Sequence, residues 1–430
     1  MYRKLISGLL VTALLCTMPI AFGSRIYAAE DETAAPTPLS LAQAVTLMQT
    51  DSNAAKTAQL HKESDQAVAR GYSETYSNIE DALDQIKGTS TVSSAQVAYT
   101  LYGPNYQEQL AANPNLIPLV GYIQSSMNEQ IASTIQAARD AGANNNNLAI
   151  TQLRRDFAKA HTDSNYRADM NQIEYNTVQL YYGVLLAREN VKTCTENMNA
   201  KNDILKNTQA MRTAGMCSDK EVYSAKADAE SAKSELEAAK VTAKDTEMKF
   251  NYLLARDVTA DVVLTDSLTK RAIPGDTEDA YVTQALANRP ELAGTDLAEQ
   301  VYKKLLDGVN AYPRSSATYM SAKTSYDNAV YTARTAPAQI EIDVRTKYTN
   351  INALSAAVEN AQKTYDYAKE GYRLTKLSYE AGMTTLANVQ DIQATYHKAG
   401  LGLSAAIVAY DLAIYNFNYS VGVGTTRLPL

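Results

Sequence analysis

One constant shift in residue number, 180 to 347, relates two stretches of this chain without insertion or deletion. Residues 180–191 (LYYGVLLARENV) fall on 347–358 (KYTNINALSAAV), and Thr213-Ala214-Gly215-Met216 on Glu380-Ala381-Gly382-Met383. The same shift carries Phe250-Asn251-Tyr252 onto Phe417-Asn418-Tyr419. Side chains differ between the copies while length does not, so the duplication preserves a spacing.

The spacing is that of a coiled coil. After the first glycine, Val222, Ala225, Ala229, Ala232, Leu236, Ala239, Ala243, Thr246 and Phe250 step alternately by three and four. Shifted by the same register they become Val389, Ile392, Tyr396, Ala399, Leu403, Ala406, Tyr410, Ala413 and Phe417. Seventeen of these eighteen positions are apolar or aromatic, the seam of helices that bury one narrow face. Upstream of each glycine runs another long helical pattern, ending at Arg212 and Tyr379. Gly215 and Gly382 supply the positive φ that ends a helix at little cost. Each copy is therefore predicted to be a long helical hairpin with the glycine turn at its tip, its two helices antiparallel.

The copies also open alike. Ser40-Leu41-Ala42-Gln43-Ala44-Val45 leads to the polar break Thr50-Asp51-Ser52-Asn53. Residues 280–286 lead to Asn288-Arg289-Pro290-Glu291-Leu292. A short helix, a break and a second helix fit both. Between the copies, Pro274-Gly275 and the β-type run Val262-Val263-Leu264 mark a boundary. The expected fold is mainly α, made of duplicated long antiparallel coiled-coil hairpins. A first helical repeat covers residues 38–252, a small mixed linker or cap 253–279, and a second helical repeat 280–424.

Composition agrees and narrows the function. Gly and Pro are scarce at 18 and 11, Trp is absent, and Tyr numbers 29, a balance of long helices packed through small residues. Arg3 and Lys4 precede an apolar run and the small pair Ala28-Ala29, so residues 1–28 read as a signal peptide with Cys16 inside it. Removing Arg3, Lys4 and Arg25 with that leader takes the formal charge from −7 to −10. This argues against a nucleic-acid partner. No later stretch is expected to reach the ~18 apolar residues of a spanning helix. Cys194 and Cys217 lie 23 positions apart, about 34 Å along a helix, far beyond the ~4.4–6.8 Å of a disulfide. They read as packing residues. His61, His161 and His397 are scattered, with no metal-ligand spacing, phosphate loop, dinucleotide fingerprint or nucleophile elbow, so neither catalysis nor a cofactor is expected.

The Leu41-x-x-Ala44-Val45 opening, Asn288-Arg289-Pro290-Glu291-Leu292, the two Ala-Gly-Met turns and the closing NFNYSVGVG of residues 416–424 together resemble the TolC-type outer membrane efflux proteins. The resemblance covers residues 38–75 and 165–424. It implies a homotrimer whose six hairpins form a twelve-helix tube, hung from an outer-membrane barrel. Its tips would meet a periplasmic adaptor and, through it, an inner-membrane pump. Each protomer of that family gives the barrel two strands per repeat. Here the places for them are residues 73–147 and 312–337, where a strand needs about 9–11 alternating residues. Residues 312–337 carry Arg314, Lys323, Asp327 and Arg334 and no apolar band. In the first repeat, residues 97–102 (VAYTLY) are the one strand candidate, 117–140 look helical, and 142–147 form a Gly-Ala-Asn-rich loop. The barrel is expected to be missing or replaced by helices.

Site residues follow from the resemblance. The tips that would dock the adaptor are Ala214, Gly215, Met216, Cys217 and Ala381, Gly382, Met383, Thr384. The residues that would narrow the tube are Glu221, Tyr379, Asn388 and Asp391, with Glu221 and Tyr379 linked when it is closed and Thr384 where a basic partner is usual. Tyr396 and Tyr410, on the seam, either pack as core or line a ligand pocket. The resemblance implies an efflux or secretion duct of the outer membrane passing small molecules or proteins outward. The alternative is an exported, non-transporting scaffold of the periplasm or envelope that kept the coiled coils and lost the barrel.

Overall fold

The computed structural model describes residues 38–430; the expected leader and Cys16 lie outside the described residues. The described chain forms α1 (Leu41–Thr50), α2 (Asn53–Gly88), α3 (Ser94–Tyr102), α4 (Tyr106–Ala112), α5 (Leu116–Asp140), α6 (Asn145–Thr213) and α7 (Asp219–Leu253). The second half adds α8 (Glu278–Asn288), α9 (Pro290–Gly308), α10 (Ala317–Glu380) and α11 (Leu386–Val421). Among the described residues there is no β-strand, only a bridge between Leu39 and Leu264.

The register survives in the coordinates. Helices α6 and α10 end at Thr213 and Glu380, and α7 and α11 begin at Asp219 and Leu386, both pairs related by the shift that the sequence repeats show. Both opening pairs are short helix, polar break, second helix, with Ser52 capping α2 and Pro290 at the first turn of α9. The seam faces inward. Ala225, Ala229, Ala232, Leu236, Ala239, Ala243 and Phe250 are buried on α7, and Val389, Tyr410 and Phe417 on α11, with the other seam positions half-buried. Alanines let the helices approach closely, and Phe250 and Phe417, both fully buried, anchor the far ends. Cys194 packs on Leu236 and Ala239; it and Cys217 are free thiols.

At 69 and 64 residues, α6 and α10 are spines of about 100 Å and 96 Å. Helices α2 and α7 both pack on α6, while α9 and α11 pack on α10. Toward the tips the lateral order is α7, α6, α11, α10, since α11 also packs on α6. This explains a departure from the sequence expectation. By length and composition α11 is apolar enough to cross a membrane. It is apolar on two flanks because it has a helix on each.

The linker ties the repeats together. Leu39 N–H donates to Val263 O at 2.8 Å, and the Tyr181 hydroxyl reaches Leu39 O and Asp266 Oδ2 at 3.0 and 2.9 Å. Further on, Asp411 of α11 is fully buried and accepts from Tyr182 of α6 at 2.9 Å and from the Arg271 amide at 3.2 Å. Burial pushes the Asp411 carboxyl above the usual range, against the pull of these donors and of the Arg271 guanidinium. Burial likewise pushes the Tyr182 hydroxyl up to about 12. Residues 422–430 return across the first repeat: Asn165, 2 % exposed, donates to Asp65 and Leu428 O and accepts from Leu428 N–H. Arg427 pairs with Asp65 at 2.7 Å.

The places expected for strands are helical. Residues 97–102, the strand candidate, lie in α3, because Ser93 and Gln96 close a reciprocal cap that starts a helix there. Val97, Ala98 and Val120 then form a small core between α3 and α5. In the second repeat, residues 309–316 are a short connection and α10 begins at Ala317, running through Pro337.

Candidate functional site at the hairpin tips

Both tips are built by one device. Gly215 has φ 76° and donates to Arg212 O at 2.9 Å, while Met216 N–H reaches Met211 O at 2.8 Å. Gly382 has φ 73° and donates to Tyr379 O at 2.9 Å, while Met383 N–H reaches Ser378 O at 2.8 Å. This crossed pair of bonds satisfies the last carbonyls of each spine helix. The next helix starts at once, capped by Ser218 and Thr385. Ala214, Gly215, Ala381 and Gly382 are exposed, and Met216 and Met383 stand out at 67 % and 78 % exposure. Cys217 and Thr384 are half-buried, with the Cys217 thiol donating to Thr208 O at 3.2 Å.

The register also pairs residues that the sequence reading did not use. Arg212 and Asp219 form a bidentate ion pair across the first tip, at 2.6 and 3.0 Å. Their counterparts are Tyr379 and Leu386, both buried with Ile204, Ala225 and Val389. One tip is held by exposed charge and the other by apolar packing against the first hairpin. The Tyr379 hydroxyl meets Thr208 Oγ1, a residue that carried no signal by itself.

The other aperture candidates have local partners. The Glu221 carboxylate accepts from Ser218 N–H and Oγ at 2.7 and 3.0 Å, which holds it below the usual carboxylate range. The Ser218-x-x-Glu221 spacing is itself the signal for that cap. Within one chain Glu221 and Tyr379 do not hydrogen-bond to each other. Asn388 occupies the equivalent capping turn and donates to Thr384 Oγ1 at 3.0 Å. Asp391, one turn on, is exposed and has no ion-pair partner among the described residues.

The outer helices α7 and α10 each carry exposed apolar side chains in line, set among polar ones. Tyr223, Val241 and Tyr252 of α7 are 72 %, 71 % and 75 % exposed, and they lie close to whole numbers of helical turns apart. On α10, Tyr331, Ile342 and Tyr367 are likewise separated by nearly whole turns, and all are exposed.

An open layer of four long helices, with both reversal tips at one end, defines the TolC-like protomer fold. Solved structures share it. The CmeC outer membrane channel of Campylobacter jejuni superposes with a TM-score of 0.60 at 13 % identity, over 90 % of this chain and 87 % of that one. A membrane protein of Pseudomonas aeruginosa gives 0.53 at 13 % identity, over 66 % and 73 %. The outer membrane protein VceC of Vibrio cholerae gives 0.52 at 14 %, over 64 % and 77 %. Residues 312–413 match the family model described as outer membrane efflux protein. The sequence has no match among curated proteins. The chain thus resembles the outer membrane channel CmeC in fold over 90 % of its length, and the outer membrane efflux proteins in sequence over most of its second repeat.

Proposed function

We propose that this chain is one wall segment of a TolC-like duct of the cell envelope. In this reading three copies close into a twelve-helix tube, and residues 214–217 and 381–384 dock a periplasmic adaptor coupled to an inner-membrane pump. Small molecules or proteins then pass outward, with Asp391, Asn388, Glu221 and Tyr379 near the narrow end. The observation that carries the reading is the pair of open edges. A layer with exposed apolar side chains on α7 at one side and on α10 at the other can close head to tail, and such contacts generate rings when the rotation closes. The fold shared with CmeC, named an outer membrane channel, supports the same reading.

The helical α3–α5 segment and the short 309–316 connection favour a second reading at the membrane end. There the tube stops short of the bilayer and the protein is an envelope scaffold. Sedimentation velocity on the processed full chain tests the ring: a trimer is expected, and a monomer at micromolar concentration removes the duct. Fractionation of the producing cells then separates the readings. Recovery with outer-membrane vesicles supports a duct that reaches lipid, and release with the soluble envelope contents supports the scaffold.

A further inference from the structure

The end of the molecule away from the tips differs in charge from the rest. Charged side chains make up 20 % of the chain, yet residues 88–128 hold only one, Glu108. That stretch spans α3, α4 and the first half of α5. Residues 116–123 (LIPLVGYI) open α5 with no polar group on a side chain except the Tyr122 hydroxyl. One side of this run serves the small core, where Val120 is buried with Val97 and Ala98 and Ile123 packs against them. Every exposed position of the run is apolar or tyrosine, namely Ile117, Pro118, Leu119, Gly121 and Tyr122. Ile117, Leu119 and Tyr122 are 56 %, 48 % and 73 % exposed, so nothing in the described chain covers this face. A contiguous apolar surface of this kind marks a contact site.

The second repeat brings cations to the same end. Asn146, in the first turn of α6, donates to Lys304 O near the end of α9 at 2.7 Å. The α9–α10 connection therefore sits beside the point where α5 passes into α6, and α6 and α10 both run from there to the tips. Between Tyr302 and Met320, Lys303, Lys304 and Arg314 outnumber Asp307. None of these three cations has an ion-pair partner among the described residues, whereas Lys323, further along α10, is paired with Asp327 at 2.7 Å. Lys303 and Arg314 are exposed, as are Tyr302 and Tyr312.

An uncharged apolar face at the same end as unpaired cations and tyrosines follows the layering of a bilayer surface, with hydrocarbon beneath phosphate. Apolar side chains enter the boundary, tyrosine rings sit at headgroup level, and lysine and arginine carry their charge outward on apolar stems. We propose that this end of the chain seats on an anionic lipid surface. Ile117, Leu119 and Tyr122 enter the headgroup boundary, and Lys303, Lys304 and Arg314 meet lipid phosphates. All six come from one chain, so the contact goes beyond both readings above. A monomer in sedimentation would leave it standing, and its loss would leave the ring.

Flotation of the processed full chain tests this, with phosphatidylcholine vesicles that contain or lack phosphatidylglycerol. Binding to both is expected, at least about fivefold stronger to the phosphatidylglycerol mixture. Arg314→Glu should weaken binding to the mixture about fivefold or more and leave binding to phosphatidylcholine alone unchanged. Ile117→Asp combined with Tyr122→Asp should weaken binding to both about tenfold or more. The chain has no tryptophan, so Leu119→Trp places a single reporter on the face. Its emission should shift to the blue with the mixture and be quenched by brominated lipid. Failure to float with either vesicle, equal binding to the two, flotation untouched by the double aspartate variant, or an unshifted Leu119→Trp emission overturns the proposal. So does loss of the oligomer in the double variant with flotation intact, which would assign the face to a second copy. Circular dichroism verifies the helices of each variant, and the Leu119→Trp readout stands even where an aspartate disturbs α5.

Discussion

The Tyr379 hydroxyl lies 2.9 Å from Thr208 Oγ1, with both side chains buried between the two hairpins. Thr208 already donates to Ile204 O at 2.8 Å, so Tyr379 is the donor in this bond. It joins the end of the second spine to the first, close to where each chain reverses.

This direction makes the two deletions unequal. Tyr379→Phe removes a donor and leaves Thr208 bonded to its own helix, at a cost of about 1 kcal/mol. Thr208→Val strands a buried phenol and should cost more, about 1–3 kcal/mol. Urea unfolding of the two single variants and the double variant measures both; equal losses would reverse the assigned donor.

A side-chain carbon added at either tip glycine would meet nothing within 4 Å, so the role of Gly215 and Gly382 is purely one of backbone conformation. Gly215→Ala and Gly382→Ala should each lower stability by about 1 kcal/mol through the positive φ alone. Gly402, also open but with negative φ and inside α11, should instead tolerate alanine or gain slightly from it. Thermal melts of the three variants check the contrast.

Asn165 holds residues 422–430 on the first repeat by bonds in both directions. Asn165→Ala should cost about 1–3 kcal/mol, leaving Asp65 and the tail carbonyl short of a donor. Hydrogen exchange would report it first, as lost protection at the Leu428 amide with the α7 amides unchanged.

His161 and His397 are both held below their ordinary value by burial, with Glu235 and Glu196 opposing this at His397. The fold accommodates their neutral forms, whereas the unfolded chain takes up protons near pH 6.5. Stability is therefore complete above that pH and falls as pH drops from 6.5 toward the folded-state values. The melting temperature should fall between pH 7.5 and 5.5, and His397→Asn should flatten that dependence. An unchanged slope in His397→Asn would remove this residue from the account.

The exposed apolar side chains of α7 and α10 should control assembly alone. Tyr223→Glu or Ile342→Glu places a charge in the expected subunit contact and should weaken the oligomer at least about tenfold, with helicity unaltered. Sedimentation velocity distinguishes this from an effect on folding.

The two hairpins were legible because each rests on a repeating pattern along the chain. The seam and the Ala-Gly-Met turns located the tips to the residue, and the register held in the helix ends. What crosses between the repeats left no such trace. Thr208 against Tyr379 and Asp65 with Asn165 and Arg427 are single contacts between distant segments, with no period to reveal them. Residues 97–102 failed differently. Their β-branched and aromatic content suggested a strand, but Ser93 and Gln96 already spelled a helix start, and capping outweighed propensity. Glu221 was legible in the same local way, since Ser218 three residues before it forms a cap with its carboxylate.

Asp411 carries a consequence beyond the folded state. From Ala399 to Val421 it is the only charged side chain, in the helix that qualifies by composition as a membrane span. In the proposed envelope role the chain is threaded through a translocon before folding, which offers this segment to the bilayer as an alternative home. A central aspartate opposes that partition by about 2.5–3.5 kcal/mol. The carboxylate that later accepts from Tyr182 and Arg271 would thus also act earlier, as a passport that keeps the last helix moving. Asp411→Leu is expected to leave part of the population lodged in the inner membrane, resistant to alkaline extraction, before any loss of stability is felt.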